Sequence, residues 1–149
     1  MSKLPPFPQA LIAGALAALV TSVLIWLATV GEVFAMLNVA VAAPGDPTVW
    51  TVKRMMWGAL AGLLFLAPLL TATAQWKRGL LVSLVPIAVL LLVIYPRGHE
   101  GWFGLNLGVP LLAAVIVLWL LWGVLAGWML TRWGFWGVPV PEGEETPPE

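Results

Sequence analysis

The stretch QALIAGALAALVTSVLIWLATV, residues 9–30, decides the fold class because it carries no charged side chain anywhere along its length. A helix needs about 20 predominantly apolar residues to cross about 30 Å of hydrocarbon at 1.5 Å per residue. The PPFP sequence at residues 5–8 marks where this helix begins, since successive prolines cannot continue inside a helix. The stretch therefore predicts a membrane-spanning helix.

Three more runs have the same character and predict three further spans, at residues 52–73, 79–95 and 109–131. Together with residues 9–30 they predict an all-α integral membrane protein, with four transmembrane helices in an antiparallel bundle. This membrane domain extends over residues 1–140. Residues 74–78, AQWKR, are long enough only for a tight hairpin between the second and third spans.

Two segments lie outside the predicted spans. Residues 32–43 are too few to cross the bilayer and too apolar to lie in water, and they stop at the turn sequence Pro44-Gly45-Asp46-Pro47. They predict a short external helix that is interfacial or re-entrant. Residues 141–149, PEGEETPPE, are acidic and rich in proline, so we expect a disordered tail.

Composition limits the partners of the chain. It is 61% hydrophobic and only 9% charged, whereas soluble domains are about 25% charged. Its seven Lys and Arg residues are matched by seven Asp and Glu residues, so it lacks the cationic excess of a nucleic-acid-binding protein. No cysteine is present for disulfide or thiolate chemistry. The lipid bilayer is the expected surrounding, and nucleic acid is excluded as a partner.

Positive side chains near the ends of the spans predict the orientation, because cytoplasmic loops collect Lys and Arg. Lys53 and Arg54 are expected to extend to the interface at the start of the second span. One side of the membrane has Lys3, Lys77, Arg78 and Arg132, and the other has Lys53, Arg54 and Arg97. This distribution favours cytoplasmic termini in a bacterial cytoplasmic (inner) membrane.

Small residues recur at four-residue spacing on three spans, which is the pattern that permits close helix packing in lipid. Two interpretations are open: packing within one bundle, or association with a second copy or a larger membrane complex. The residues concerned are Ala10, Gly14, Ala18 and Ser22 on the first span, Gly58 and Gly62 on the second, and Gly123 and Gly127 on the fourth.

The cores of the predicted spans contain no ionisable residue, although such residues mark most functional sites in membranes. Ser22 and Ser83 have no base within a span to activate them. His99, the only histidine, lies between spans and cannot supply a pair of haem ligands. His99 and the adjacent Glu100 give two ligand types where zinc takes three or four, so a solvated pair is favoured over a metal site. We predict no catalytic residue, no metal and no cofactor.

Tryptophan is abundant, with ten residues in the chain. Three of them, Trp119, Trp122 and Trp128, lie on the fourth span itself rather than at its ends. Helix packing and lipid contact are the favoured roles, with stacking on a quinone or pigment ring as the alternative.

Two short sequences resemble each other within the chain. FAMLNV at residues 34–39 and FGLNL at residues 103–107 each contain Phe, a small residue and Asn, and each precedes a span. If the chain were built from two helical hairpins, Asn38 and Asn106 would be equivalent and could make a polar contact or line a pathway. Chance recurrence in an apolar sequence is the other explanation.

These observations favour a non-catalytic membrane protein that serves as an accessory, assembly or structural subunit. The alternative is a small homo-oligomeric transporter or channel whose pathway is polar but uncharged.

Overall fold

The computed structural model describes residues 5–36, 46–67 and 75–133. Those residues are helical apart from short turns, and none of them forms a strand. Four helices are long and apolar enough to cross a membrane: Pro6–Val30, Pro47–Leu66, Trp76–Arg97 and Val109–Arg132. The predicted all-α fold with four membrane-length helices is confirmed.

The helices are named in chain order. They are α1 (Pro6–Val30), α2 (Val33–Met36), α3 (Pro47–Gly62), α4 (Gln75–Val89), α5 (Tyr95–Arg97) and α6 (Val109–Arg132). A 3-10 turn at Leu63–Leu66 continues α3, a π-helical turn at Leu90–Ile94 joins α4 to α5, and a 3-10 turn at Trp102–Leu107 precedes α6.

The second span lies earlier in the sequence than the apolar run 52–73 predicts. Asp46 caps α3, because its carboxylate accepts hydrogen bonds from the backbone N–H groups of Thr48 at 2.8 Å and Val49 at 3.2 Å. Pro47 occupies the first turn, where its missing N–H costs nothing. At the other end, Ala67 is extended at φ −63° and ψ 135°, since the residue before a proline avoids the helical region. The helix therefore ends before residue 73.

The third span begins earlier than predicted. Gln75 to Arg78 belong to α4 rather than to a hairpin loop, so the residues 74–78 are not the connection that the sequence suggests. The span reaches Arg97 and holds 22 residues, more than residues 79–95 supply. Pro86 lies inside α4 and removes one backbone donor, and the chain adopts a π-helical turn shortly after it.

Only the beginning of the predicted interfacial segment 32–43 is described. Gly31 ends α1 with a hydrogen bond from its N–H to the carbonyl oxygen of Leu27 at 2.8 Å. Glu32 then adopts a positive φ of 54°, and α2 follows. Residues 37–45, which include Asn38, lie outside the described residues, as does the predicted tail 141–149.

Three helix pairs build the protein: α1 with α3, α1 with α6, and α4 with α6. In contrast, contact between α3 and α4 is slight, and among the described residues the main contact between the second and third spans is that of the turn Leu63–Leu66 with α4. The two helices consequently diverge from that end. The buried hydrophobic core consists mostly of alanine together with a few larger side chains. Its members are Ala10, Ala13, Ala17, Ala18, Phe65, Val82, Trp122, Ala126 and Leu130.

Candidate functional site

Glycine brings the backbones of α1 and α3 into direct contact. A methyl group on Gly14 would overlap the carbonyl oxygen of Gly58 and lie 2.9 Å from the Cα atom of Gly62. A methyl group on Gly58 would overlap the Cβ atom of Ala18 and lie 2.7 Å from the carbonyl oxygen of Gly14. Ala10 faces Gly62 in the same way, so the contacts run in opposite sequence directions along the two helices. The structure thus brings together the small residues of the first two spans within one chain.

A second glycine contact joins α4 to α6. A methyl group on Gly123 would lie 2.9 Å from the carbonyl carbon of Gly79 and 2.9 Å from the Cβ atom of Ser83. Gly127 is also buried on α6, where its carbonyl oxygen accepts a hydrogen bond from the Thr131 hydroxyl at 2.9 Å. Gly79 is not among the small residues that the four-residue pattern predicts for packing, although Gly79 and Ser83 have that spacing on the third span.

Trp122 connects the two glycine contacts. It is only 2% exposed, and its indole Nε1 donates a hydrogen bond to the carbonyl oxygen of Gly14 at 2.9 Å. Its ring lies 5.5 Å from that of Trp119 and 6.4 Å from that of Phe65. Trp122 is thus a packing residue. Trp128 is half exposed, and the guanidinium of Arg132 lies 5.5 Å from its ring.

Arg54 points between helices instead of extending alone to the interface. Its Nε donates a hydrogen bond to the hydroxyl oxygen of Ser22 at 3.0 Å, and its guanidinium lies 5.0 Å from the ring of Trp50. The early start of α3 explains this position, because seven residues of helix place Arg54 about 10 Å beyond Pro47. Ser22 itself is buried and donates its hydroxyl proton to the carbonyl oxygen of Ala18 at 2.7 Å.

A cavity of about 540 Å³ occupies the space between the diverging α3 and α4. Its size is within the range of about 300 to 1,000 Å³ that is typical of ligand sites. Its back wall comes from α1 and α6, where Thr21 and Trp119 line it, and its sides come from α3 and α4. Arg54 is the only charged residue among the lining residues, and the rest are almost all apolar.

The hydroxyl groups on the first, third and fourth spans bond to their own helices. The Thr21 hydroxyl donates to the carbonyl oxygen of Ala17 or Ala18, each at 3.1 Å. Both acceptors lie in the preceding turn of the same helix. Thr29 and Ser83 do the same, with distances of 2.8 Å to the carbonyl oxygen of Ile25 and 2.7 Å to that of Leu80. These bonds are the usual use of hydroxyl groups in a membrane. They leave no row of free hydroxyl donors along the described spans.

Arg78 is buried at the opposite end from Arg54. It is 3% exposed, and its Nη2 donates hydrogen bonds to the carbonyl oxygens of Phe65, at 2.7 Å, and Ala67. These carbonyls belong to the end of the second span, where a helix leaves acceptors without partners and where positive charge is favourable. Arg78 therefore caps the second span from the third.

The loop that follows α5 is held by its own backbone. His99 is exposed with a positive φ of 63°, and its carbonyl oxygen accepts a hydrogen bond from Asn106 Nδ2 at 3.4 Å. The backbone N–H of Asn106 donates to the carbonyl oxygen of Glu100 at 3.1 Å. Gly104, at φ 75°, lies against the ring of Tyr95, whose Cε2 would be 2.7 Å from an added methyl group. Asn106 is exposed and belongs to this loop.

Asn38 lies outside the described residues, so its pairing with Asn106 stays a prediction. No three His, Cys, Asp or Glu residues come together in the described parts of the chain, and His99 and Glu100 have no third ligand there.

The cavity with Arg54 at one end is the candidate functional site. The guanidinium of Arg54 can bind an anion, and the apolar walls of the cavity can hold an apolar chain. Ser22, the hydroxyl beside Arg54, contacts a cation and a carbonyl rather than a base. Comparison with protein-family models, with curated proteins and with solved structures found no match to this chain.

Proposed function

We propose that this chain is a non-catalytic protein of the bacterial inner membrane, in which four antiparallel spans form one bundle that serves as an accessory, assembly or structural subunit. The observation that carries the proposal is the use of the interior polar groups. In the described spans the Thr21, Ser22 and Ser83 hydroxyls donate to carbonyl oxygens of their own helices. The guanidinium groups of Arg54 and Arg78 each bond to a different span, so these polar groups serve the fold.

Catalysis would require a different neighbourhood around those groups. A nucleophilic hydroxyl needs a general base within hydrogen-bond reach, and a general acid or base needs a titratable side chain beside the reacting atom. Ser22 instead donates to a carbonyl oxygen and accepts from Arg54, which stays protonated. Ser83 donates to the carbonyl oxygen of Leu80. These contacts support a structural role for both serines.

The orientation with both termini in the cytoplasm is part of the proposal, and it puts the segment 32–43 on the external side. With Arg54 and Arg78 enclosed, the exposed described cations are Lys77 and Arg132 on one side and Lys53 and Arg97 on the other. Lys3 lies outside the described residues and adds a third cation to the first side in the sequence. The excess of one Lys or Arg residue on the side of the amino terminus still favours a cytoplasmic amino terminus. Because the chain has no cysteine, single cysteines at Lys77 and Arg97 can be labelled in intact cells to determine the orientation. Labelling at Arg97 and protection at Lys77 are expected.

A partner protein would contact the outer surface of the bundle rather than the glycine faces. The small residues of α1 and α3 are engaged with each other, and Gly123 is engaged with Gly79. Large apolar side chains are half exposed on the outside, for example Met56 at 62% and Leu60 at 54%. In lipid such surfaces are available to another membrane protein.

Cross-linking in native membranes, followed by extraction in mild detergent and mass determination, tests the proposal. The expected product is a complex of fixed stoichiometry with another membrane protein. A monomer under every condition, including after cross-linking, would contradict a subunit role. A homo-oligomer that makes liposomes permeable to a small solute would instead support the transporter or channel.

A further inference from the structure

We propose that the cavity between α3 and α4 binds one membrane lipid with an anionic phosphate headgroup, whose phosphate contacts Arg54 and whose acyl chain fills the cavity. This inference goes beyond the subunit role and does not depend on a protein partner. It rests on the charge of Arg54, the direction of its side chain, and the shape of the cavity.

Arg54 has no counter-ion within the described part of the chain. Its Nε contacts the Ser22 hydroxyl and its guanidinium faces the Trp50 ring, but no described carboxylate is within salt-bridge distance. Its two terminal nitrogens have no hydrogen-bond partner among the described residues. A guanidinium with two free nitrogens matches the geometry of a phosphate, which it binds through two parallel hydrogen bonds. The two terminal nitrogens of Arg54 are therefore available to an anion, and a phosphate fits their geometry.

The Arg54 side chain is directed toward the headgroup end of α3. Helical side chains lean toward the amino terminus of their helix, which carries the guanidinium back toward Trp50, near the start of the span. Trp50 and Trp57 lie on either side of Arg54 in the sequence, and tryptophan rings are enriched at the level of the headgroups. The guanidinium is therefore directed from Arg54 toward the start of α3, which is the side of the headgroups of that leaflet.

The cavity continues from Arg54 toward the middle of the membrane. Along the second span its lining extends from Arg54 in α3 to Leu64 in the following 3-10 turn, which is about 15 Å at helical rise and so about half of the hydrocarbon thickness. That length suits an acyl chain of a single leaflet. The lining is apolar, so the chain would lose no favourable contact on leaving the bilayer.

The packing of α3 and α4 creates the cavity and leaves it accessible to a lipid. Gly58 and Ala61 present little bulk on the α3 side, and the α4 side is lined by Pro86 and by residues of the π-helical turn, Leu90 and Ile94. Since the main described contact between the second and third spans is near Leu63–Leu66, the cavity opens between the two helices toward the surrounding lipid. A lipid can enter sideways.

Native mass spectrometry of the full chain in detergent tests the proposal. Phosphatidylglycerol and phosphatidylcholine with identical acyl chains are the probes, because they differ in net charge. We expect phosphatidylglycerol to bind more tightly, and Arg54→Gln to weaken its binding roughly tenfold or more. Lys53→Gln is the matched control, since it removes the same charge from an exposed neighbour that does not line the cavity.

A second pair of variants tests the cavity itself without touching a charge. Val89 lines the cavity and is 45% exposed, whereas Leu92, on the same span and 49% exposed, does not line it. Val89→Trp should exclude the acyl chain and reduce retention of phosphatidylglycerol, while Leu92→Trp should leave it unchanged. Inorganic phosphate should not displace the lipid, because it lacks the acyl chain.

Equal binding of the two lipids would overturn the preference for an anionic headgroup, since both lipids carry a phosphate. Equal effects of Arg54→Gln and Lys53→Gln would overturn the assignment of the phosphate to Arg54. Unchanged binding to Val89→Trp would overturn the placement of the acyl chain, as would displacement by inorganic phosphate. If Arg54→Gln does not fold, the Val89 and Leu92 pair still decides the outcome. A neutral ring compound that binds in place of the lipid, and independently of Arg54, would also contradict the proposal.

Discussion

The indole Nε1 of Trp122 donates a hydrogen bond of 2.9 Å to the carbonyl oxygen of Gly14, across 108 positions of sequence. Gly14 also faces Gly58, so three of the four membrane-length helices meet at one glycine. A side chain at Gly14 would overlap α3. This meeting point explains why small residues and a large aromatic residue are needed together.

Trp122→Phe should lower the free energy of unfolding by about 1 kcal/mol, the net value of one hydrogen bond, because the ring volume is partly kept while the donor is lost. Unfolding in mixed micelles with increasing SDS would measure the change. Trp119→Phe is the control, since the Trp119 indole has no hydrogen-bond partner in the described residues. Equal losses for the two variants would show that ring packing, and not the hydrogen bond, accounts for the effect.

Gly58→Ala should destabilise the protein by about 1 to 3 kcal/mol, the usual cost of adding bulk to a close-packed site. The new methyl group would overlap the Cβ atom of Ala18 and approach the carbonyl oxygen of Gly14. The same SDS titration provides the measurement. Gly98→Ala serves for comparison, because its methyl group would meet nothing closer than 3.4 Å. A Gly58→Ala protein as stable as Gly98→Ala would mean that α1 and α3 are not in backbone contact.

Arg78→Gln should lower the free energy of unfolding by about 2 kcal/mol, because hydrogen bonds from charged groups are stronger than neutral ones. The carbonyl oxygens of Phe65 and Ala67 would lose their cationic donor. Hydrogen exchange of the amides at the end of the second span should rise at the same time. Lys77→Gln removes the same charge from the adjacent residue, which faces the Trp76 ring at 5.6 Å, and should have a smaller effect. A larger loss of stability for Lys77→Gln than for Arg78→Gln would contradict the capping role of Arg78.

Asn106→Leu should increase hydrogen exchange locally, in the loop at residues 99–106, with little change in global stability. The reason is that Asn106 Nδ2 bonds to the carbonyl oxygen of His99 in an exposed loop. Hydrogen exchange in the loop is measured by mass spectrometry of peptides, and global stability is measured by SDS titration. If exchange in the loop stayed the same and the permeability of liposomes fell, Asn106 would be a pathway residue instead.

The four apolar runs predict the number of spans well, because the requirement for about 20 apolar residues acts on each segment separately. Their ends are predicted less well. The Asp46-Pro47 pair indicates a turn in the sequence, yet the same two residues cap α3 and occupy its first turn. Turn formation and helix capping favour the same residue types, so the pattern alone cannot distinguish them.

The site depends on which faces of different helices meet, and the sequence does not contain that information directly. Spacing identifies Gly14 and Gly58 as small residues on helices, but not that Gly14 is also the acceptor for Trp122. The sequence predicts that Arg54 extends to the interface, but it does not predict that the Arg54 Nε contacts Ser22 on α1, because that contact depends on how α1 and α3 pack. The cavity follows from the divergence of α3 and α4, which is a property of the packed chain.

Cross-linking of a Ser22→Cys, Thr51→Cys variant tests most directly the central claim that α1 and α3 pack against each other within one chain. Ser22 and Thr51 line the same small cleft between these helices, and the natural sequence has no cysteine. A short bifunctional thiol reagent applied to native membranes should link the two cysteines within a monomer, whereas each single-cysteine variant should give no internal link. Cross-linked dimers without an internal link would contradict the account.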